Sequence, residues 1–328
     1  MNSSCSNFDI NFDTEALYTT NVVTAVVNSV FSLTAVIGNL LIIMAYQRTP
    51  SLHCPANTLL CCLALADFTV GLFAQPSFIA HKIGEIQRNF DIYCATRIIT
   101  ETSGYIASGV SILTLTAISI ERYFAVYFHL RYNEIVTNFR TLVTVVFLWS
   151  TMTLVAGARF LMKDGKKFNT ITIPILFSSL IITIWSYSRI YTQVKRHHRC
   201  IQDQEKSVRI IGIARCRKSI VTMIYILGLF ILSNAPMIAV VITHKVTGYT
   251  RPVKEAYIYV STIVFVCSSI NPMIYCWRIP EIRRAVLKII KIVFCLQAQT
   301  GSMMNNPALP VRVKEFQYWS RSKVVSLI

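Results

Sequence analysis

Seven long apolar stretches decide what this chain can become. They run at about 22–47, 56–80, 95–128, 141–162, 170–194, 217–244 and 256–277. Each offers the roughly 20 apolar residues that carry an α-helix across a bilayer. The first, NVVTAVVNSVFSLTAVIGNLLIIMAY, holds no charge, and neither does IVTMIYILGLFILSNAPMIAVVI in the sixth. The third is the longest and starts with Arg97, Thr100, Glu101, Thr102 and Ser103, which predicts a tilted or central helix. None alternates with the period of two that a barrel strand requires. With 54% of 328 residues apolar, a disordered chain is excluded. Runs this long also exceed what the core of a soluble enzyme hides. The expected fold class is all-α: a seven-transmembrane helix bundle.

Only 14% of the residues are charged, yet the formal net charge is +17. A basic balance by itself suggests nucleic-acid binding, but its location says otherwise. With the N-terminus outside, the inner segments hold Arg48, Arg122, Arg131 and Arg140, nine basic residues from Arg189 to Lys218, and nine from Arg278 onward. That places 22 Lys and Arg inside and ten outside, for balances of +16 and +2, with Asp67 in the membrane. The tendency of cytoplasmic loops to be basic then sets the orientation: N-terminus extracellular, C-terminus cytoplasmic, multi-pass in the plasma membrane, with no nucleic-acid partner. The start MNSSCSNFDI has no basic residue ahead of an apolar core, so no cleaved signal peptide is expected. The expected organisation is an outer tail (1–21), the seven-helix domain (22–277), a short amphipathic cytoplasmic helix (278–295) and a disordered cytoplasmic tail (296–328).

Each span carries a marker at a characteristic depth. Gly38-Asn39 lies in span one, Leu63-Ala64-Leu65-Ala66-Asp67 in span two and Glu121-Arg122-Tyr123 at the inner end of span three. Trp149 lies in span four, Tyr187 near the inner end of span five, Pro236 in span six and Asn271-Pro272-Met273-Ile274-Tyr275 in span seven. In this order the markers resemble those of the rhodopsin-like (class A) G-protein-coupled receptors, over about residues 22–295. The short outer loops and Leu52-His53-Cys54-Pro55 are most similar to the melanocortin, cannabinoid, lysolipid and adenosine group. The resemblance implies a receptor that couples an extracellular ligand to a heterotrimeric G protein and later binds arrestin.

Residue by residue, the resemblance implies that Arg122 is restrained by Glu121 at rest and meets the G protein when active, with Tyr123, Tyr187 and Tyr275 at the same inner mouth. Pro236 and Pro272 each remove a backbone donor and kink their helices. Phe230, Asn234 and Asn271 complete the expected activation hinge. Asp67 is a carboxylate in the middle of span two, so it must be protonated, hydrated or paired. Asn39, Ser111, Ser268 and Asn271 stand at comparable depth; the resemblance implies a water-filled pocket that takes sodium as a modulator, the only metal or cofactor expected. The expected ligand pocket includes Glu101, Gly104, Tyr105, Ser108, Met237, Ile238, Tyr257, Ser261 and Phe265, with Ile171, Ile175 and Val241. It is mostly apolar with one acid. Glu101 either meets a cationic ligand group or pairs with Arg97 one turn away. Amine receptors of the family carry Asp where Gly104 stands, and retinal proteins carry Lys where Phe265 stands. Both ligand classes are disfavoured; a lipid-like, peptide or nucleoside-like ligand stays open.

The departures are equally specific. Asn234 replaces the family's Trp toggle, Ser233 the Cys before it, and Ser179 the span-five proline, with Pro174 nearby. Arg97 holds the place of the span-three cysteine, and the outer loop at 159–169 has none, so the family's loop disulfide cannot form. Cys5 and Cys94 are the two outer cysteines and a candidate pair. Asn2-Ser3-Ser4 is a glycosylation sequon. Arg283, Arg284, Lys288 and Lys291 line one face of the helix after span seven, fit for the membrane interface, and Cys295 at its end is a palmitoylation candidate. The basic runs at 195–200 and 214–218 suit anionic inner lipids, Thr300, Ser302, Ser320 and Ser322 suit phosphorylation, and the Ser326-Leu327-Ile328 end suits a PDZ domain. No HExxH, Walker or GxSxG motif is present, so no enzyme is expected. Two other readings compete. A transporter or channel predicts repeated halves, which are not visible. A receptor-like protein that binds ligand without G-protein coupling is the reading that Asn234 favours.

Overall fold

A computed structural model describes residues 16–128, 131–161, 174, 177–190, 192, 225, 228–229 and 231–305. Five described helices are long and apolar enough to cross a membrane, and a shorter apolar one, Ile231–Thr247, joins them. In chain order they are α1 (Tyr18–Arg48), α2 (Pro55–Ile86), α3 (Phe90–Tyr127), α4 (Asn138–Leu161), α5 (described over 177–190), α6 (Ile231–Thr247), α7 (Arg251–Arg278) and α8 (Pro280–Asn305). No strand occurs among the described residues. The architecture is the expected helical membrane bundle.

The spans outrun the apolar windows, and the reason is chemical. α1 starts at Tyr18 rather than 22, α3 at Phe90 rather than 95, and α7 at Arg251 rather than 256. α2 continues past 80 to Ile86 through His81, Lys82 and Glu85, all buried. Hydropathy ends a span at such residues, but ion pairing lets them stay helical and interior. α8 reaches Asn305, which corrects the expected end of the amphipathic helix at 295 and the disorder of residues 296–305. The chain parts into two compact units, and the boundary falls inside α8 after Val286. In the first unit Ile282, Ala285 and Val286 are buried; in the second Leu287 and Ile292 are exposed.

α3 is the central helix, packed on α2 and α4. Asn89 caps its start by accepting from the Ile92 amide at 3.2 Å. α4 touches the bundle with one stripe, Leu148, Met152 and Ala156, at helical spacing. Phe139, Val143, Phe147 and Leu154 face outward, as lipid-facing residues do. α2 contains a π-turn at Val70–Ala74, just ahead of Pro76. The proline ring displaces the preceding carbonyls, and a wider turn absorbs the misfit. That turn brings Gly71 against α1: a Cβ built there would stand 2.9 Å from Ala35 Cβ and 3.1 Å from the Val36 amide nitrogen.

Gly71→Leu is expected to lower the melting temperature of the purified protein by several degrees, for an overpacking cost of about 1–3 kcal/mol. Gly157→Leu, whose Cβ position has nothing within 4 Å, is expected to leave it unchanged. Differential scanning fluorimetry in detergent compares the two.

Candidate functional site

The middle of the bundle holds a polar cavity around Asp67. Asn271 Nδ2 donates to Asp67 Oδ2 at 2.7 Å across α2 and α7. The cavity measures about 30 Å³, and its walls include Asp67, Ser108, Ser111, Ser268 and Asn271; one water needs roughly 10–15 Å³ on the same measure. Asn39 stands beside it but not in its wall, donating to the Ser268 carbonyl at 3.1 Å and the Ala35 carbonyl at 2.9 Å. A Cβ on the neighbouring Gly38 would come 3.1 Å from the Pro272 ring, so this glycine lets α1 close on the α7 kink. Ser233 and Asn234 of α6 also line the cavity, and Asn234 Nδ2 donates to Ser233 Oγ at 3.2 Å. Where the resemblance expects a Trp plug, this chain has a polar wall. Phe230 lies outside the described residues.

The inner end of α3 holds a second cluster. Arg122 Nε and Glu121 Oε2 form an ion pair at 2.9 Å, with Glu121 4% exposed. The Tyr132 hydroxyl, from the short Tyr132–Ile135 turn, donates to Glu121 Oε1. Burial and then the Glu121 charge push that phenol above its ordinary value, so it is a permanent donor. The Tyr123 ring packs on Tyr127 at 4.5 Å and on Trp185 of α5 at 5.3 Å. Tyr275 is fully buried, and its hydroxyl has no partner among the described residues. Tyr187 is half-buried, and no hydrogen bond joins it to Tyr275 among the described residues. The structure thus brings Glu121, Arg122 and Tyr132 together and leaves the two span-end tyrosines apart.

At the outer end the described residues of the expected pocket take the following places. The Phe265 ring backs Gly104, 3.4 Å from where a Cβ would stand, and meets Phe78 edge-on at 5.8 Å. A side chain at 104 therefore has little room. Ser108 joins the Asp67 cavity below. Tyr105 packs on the Cys62, Val110 and Met152 cluster toward α4. Tyr257 meets His244 Nδ1 at 3.2 Å. Met237 and Ser261 are half-buried and Ile238 is exposed. Glu101 accepts from Arg97 Nε at 2.9 Å, so the local pair forms. Arg97 also donates to the Tyr93 hydroxyl at 3.1 Å. Cys94 is disulfide-bonded, and the described cysteines other than Cys94 are all free. Its partner, like Cys5, Asn2, Ile171 and Ile175, lies outside the described residues, and nothing is described of the Cys295 side chain.

Sequence reasoning missed the outer ion cluster. Glu85, 0% exposed, takes Lys82 at 3.2 Å and also binds Lys254 of α7. Lys82 additionally lies over the Phe78 ring, 5.3 Å from its centroid. These charges looked like loop residues because hydropathy closes a span at them. The available signal was spacing: Lys82 and Glu85 are three apart, hence on one helix face. Tyr132 was missed for a different reason, since nothing in the inner loop marks it as the partner of Glu121.

Comparison with known proteins agrees with the motifs. The family profile described as 7 transmembrane receptor (rhodopsin family) matches residues 38–175. Trace amine-associated receptor 1 of Macaca mulatta is 26% identical over 291 residues, covering 79% of this chain and 84% of that protein. Trace amine-associated receptor 9 of Rattus norvegicus is 26% identical, covering 79% and 84%. Melanocortin receptor 3 of Homo sapiens is 24% identical over 277 residues, covering 78% and 81%.

Glu85→Gln removes the carboxylate that two buried ammonium groups share and is expected to cost about 3–5 kcal/mol. The readout is a collapse of melting temperature and surface expression. Adding Lys82→Met to Glu85→Gln is expected to recover part of the loss, because the buried charge leaves with its partner.

Proposed function

We propose that this chain is a rhodopsin-like (class A) G-protein-coupled receptor whose G-protein contact forms at the inner end of α3. The ion pair between Arg122 and Glu121, braced by Tyr132, carries the reading. At rest Glu121 occupies the guanidinium. An extracellular ligand that prefers the state with span six swung out around Pro236 frees Arg122, with Tyr123, Tyr187 and Tyr275 lining the opened mouth. This is a population shift, and moving a 1:99 equilibrium to 99:1 takes a differential affinity of about 5.5 kcal/mol. In this reading the N-terminus is extracellular, the basic third inner loop faces anionic lipids and the G protein, and arrestin follows phosphorylation of the tail. A Cys5–Cys94 disulfide, glycosylation at Asn2, palmitoylation at Cys295 and a PDZ contact at the C-terminus belong to the same proposal.

Trace amine-associated receptors are named for amines, but the amine site does not carry over. Gly104 supplies no carboxylate, and the Phe265 ring takes the space beside it. Glu101 is engaged by Arg97. The ligand of this receptor is therefore not anchored as a family amine is. The Asp67 cavity fits a hard cation such as sodium, since a carboxylate, four serines and two asparagines line it. A sodium ion there would neutralise Asp67 and weaken its bond to Asn271.

Nucleotide exchange on a panel of purified G proteins tests the coupling. Arg122→Ala is expected to cut exchange to background at unchanged melting temperature. Tyr132→Phe is expected to raise ligand-free exchange a fewfold, by loosening Glu121. Exchange that survives Arg122→Ala would count against the assignment. For the cavity, sodium is expected to raise the melting temperature of the wild type and not of Asp67→Asn; equal responses would contradict it.

A further inference from the structure

Arg278 stands between two aromatic rings that belong to different helices. With Trp277 it ends α7. Its guanidinium lies 5.2 Å from the Trp277 ring centroid and 5.2 Å from that of Tyr225. The two rings are themselves 5.9 Å apart at 54°. Tyr225 is helical and belongs to span six, eleven residues ahead of Pro236. All three residues lie toward the cytoplasmic ends of their spans.

The residue types suit this arrangement. A cation in the last turn of α7 is favoured by the helix dipole, so Arg278 is placed before it meets a ring. Both centroids are within about 6 Å, the reach of a cation–π contact. A planar guanidinium stacks on rings in a way that a lysine ammonium does not. Tyr225 is 50% and Trp277 63% exposed, as aromatics at a membrane interface are. An interfacial belt accounts for such rings one at a time. It does not require rings from two helices to close on one guanidinium.

The two sides of Pro236 are tied to α7 in different ways. On the outer side His244 Nδ1 meets the Tyr257 hydroxyl at 3.2 Å. On the inner side Tyr225 meets Arg278 and Trp277. Eleven residues of helix measure roughly 16 Å, so a swing of about 15° at Pro236 carries the Tyr225 ring roughly 4 Å. Directed away from α7, that displacement takes the ring out of reach of the guanidinium. The His244 contact lies beyond the hinge and is not moved.

We propose that Arg278 is a positioning residue for coupling: with Tyr225 and Trp277 it forms a cation–aromatic clamp that holds the inner half of span six against α7 at rest and opens when span six swings. The clamp rests on the reading of span six as the element that moves. It acts on the exposed side of the bundle, through a contact distinct from the Arg122–Glu121 pair.

The test uses the full-length receptor in nanodiscs, labelled with 5-fluorotryptophan, with Trp277→Phe identifying the Trp277 line in the ¹⁹F spectrum. Spectra and ligand-free nucleotide exchange on the panel of G proteins are compared across variants. Tyr225→Phe keeps a ring and is expected to match the wild type in both. Tyr225→Leu is expected to move the Trp277 line and to raise exchange several-fold, and Arg278→Gln to raise exchange alike. Adding Arg122→Ala to Tyr225→Leu is expected to return exchange to background. A Trp277 line that Tyr225→Leu does not move means that the rings do not meet, and overturns the proposal. A moved line with unchanged exchange means an interfacial contact that holds nothing, and overturns it too. So does a Tyr225→Phe protein that behaves like Tyr225→Leu. Raised exchange that survives Arg122→Ala supports the clamp and contradicts the contact at Arg122, so the two readings fail separately. No exchange by the wild type or any variant overturns both. If Tyr225→Leu does not fold, Tyr225→Met supplies the same two readouts.

Discussion

A polar group buried in a bilayer has no water in reserve, so it must find its partner within the bundle. Lipid tails are as apolar as leucine, and burying leucine between helices gains little there. Helices in this environment therefore associate through close packing and hydrogen bonds. α1 shows both. Its apolar residues face outward, its polar residues face α2 and α7, and Gly38 and Gly71 mark where the backbones close together. The bonds from Thr20, Asn28 and Asn39 to α7 run down the length of the seam.

The same constraint acts at every level of the bundle. At the outer end two lysines share the fully buried Glu85 and tie α7 to α2. In the middle Asp67 and Asn271 tie the same two helices through a 2.7 Å bond beside a small cavity. At the inner end Tyr275 has no partner for its hydroxyl among the described residues, and Arg122 pairs with its own neighbour on α3, Glu121. Other ties cross between helices in the inner half as well: the Tyr46 hydroxyl meets Thr58 Oγ1 at 2.8 Å between α1 and α2, and the Tyr127 hydroxyl donates to the Arg189 carbonyl at 3.4 Å between α3 and α5.

The helical bundle, its span order and the Asp67–Asn271 contact were legible in the sequence, because each rests on apolar length or on a motif at fixed depth. The span ends were not. Lys82, Glu85 and Lys254 are charged, and a hydropathy window cannot tell a charge in water from a charge neutralised across two helices. The π-turn ahead of Pro76 went unread, and its effect on Gly71 depends on where α1 lies. The ligand pocket was the least legible part. Tyr105 turned toward α4, and Phe265 filled the space beside Gly104; helix register gives the face of a residue but not which neighbour claims it.

The central claim is that this chain presents Arg122 to a heterotrimeric G protein. Its most direct test is assembly: receptor in nanodiscs is mixed with G protein, nucleotide is removed enzymatically, and the mixture is resolved by size exclusion. The account predicts a complex with at least one class of Gα that persists without nucleotide and falls apart when a non-hydrolysable guanine triphosphate is added. Failure to form a complex with every class of Gα, by a receptor that is folded and monodisperse, would contradict it.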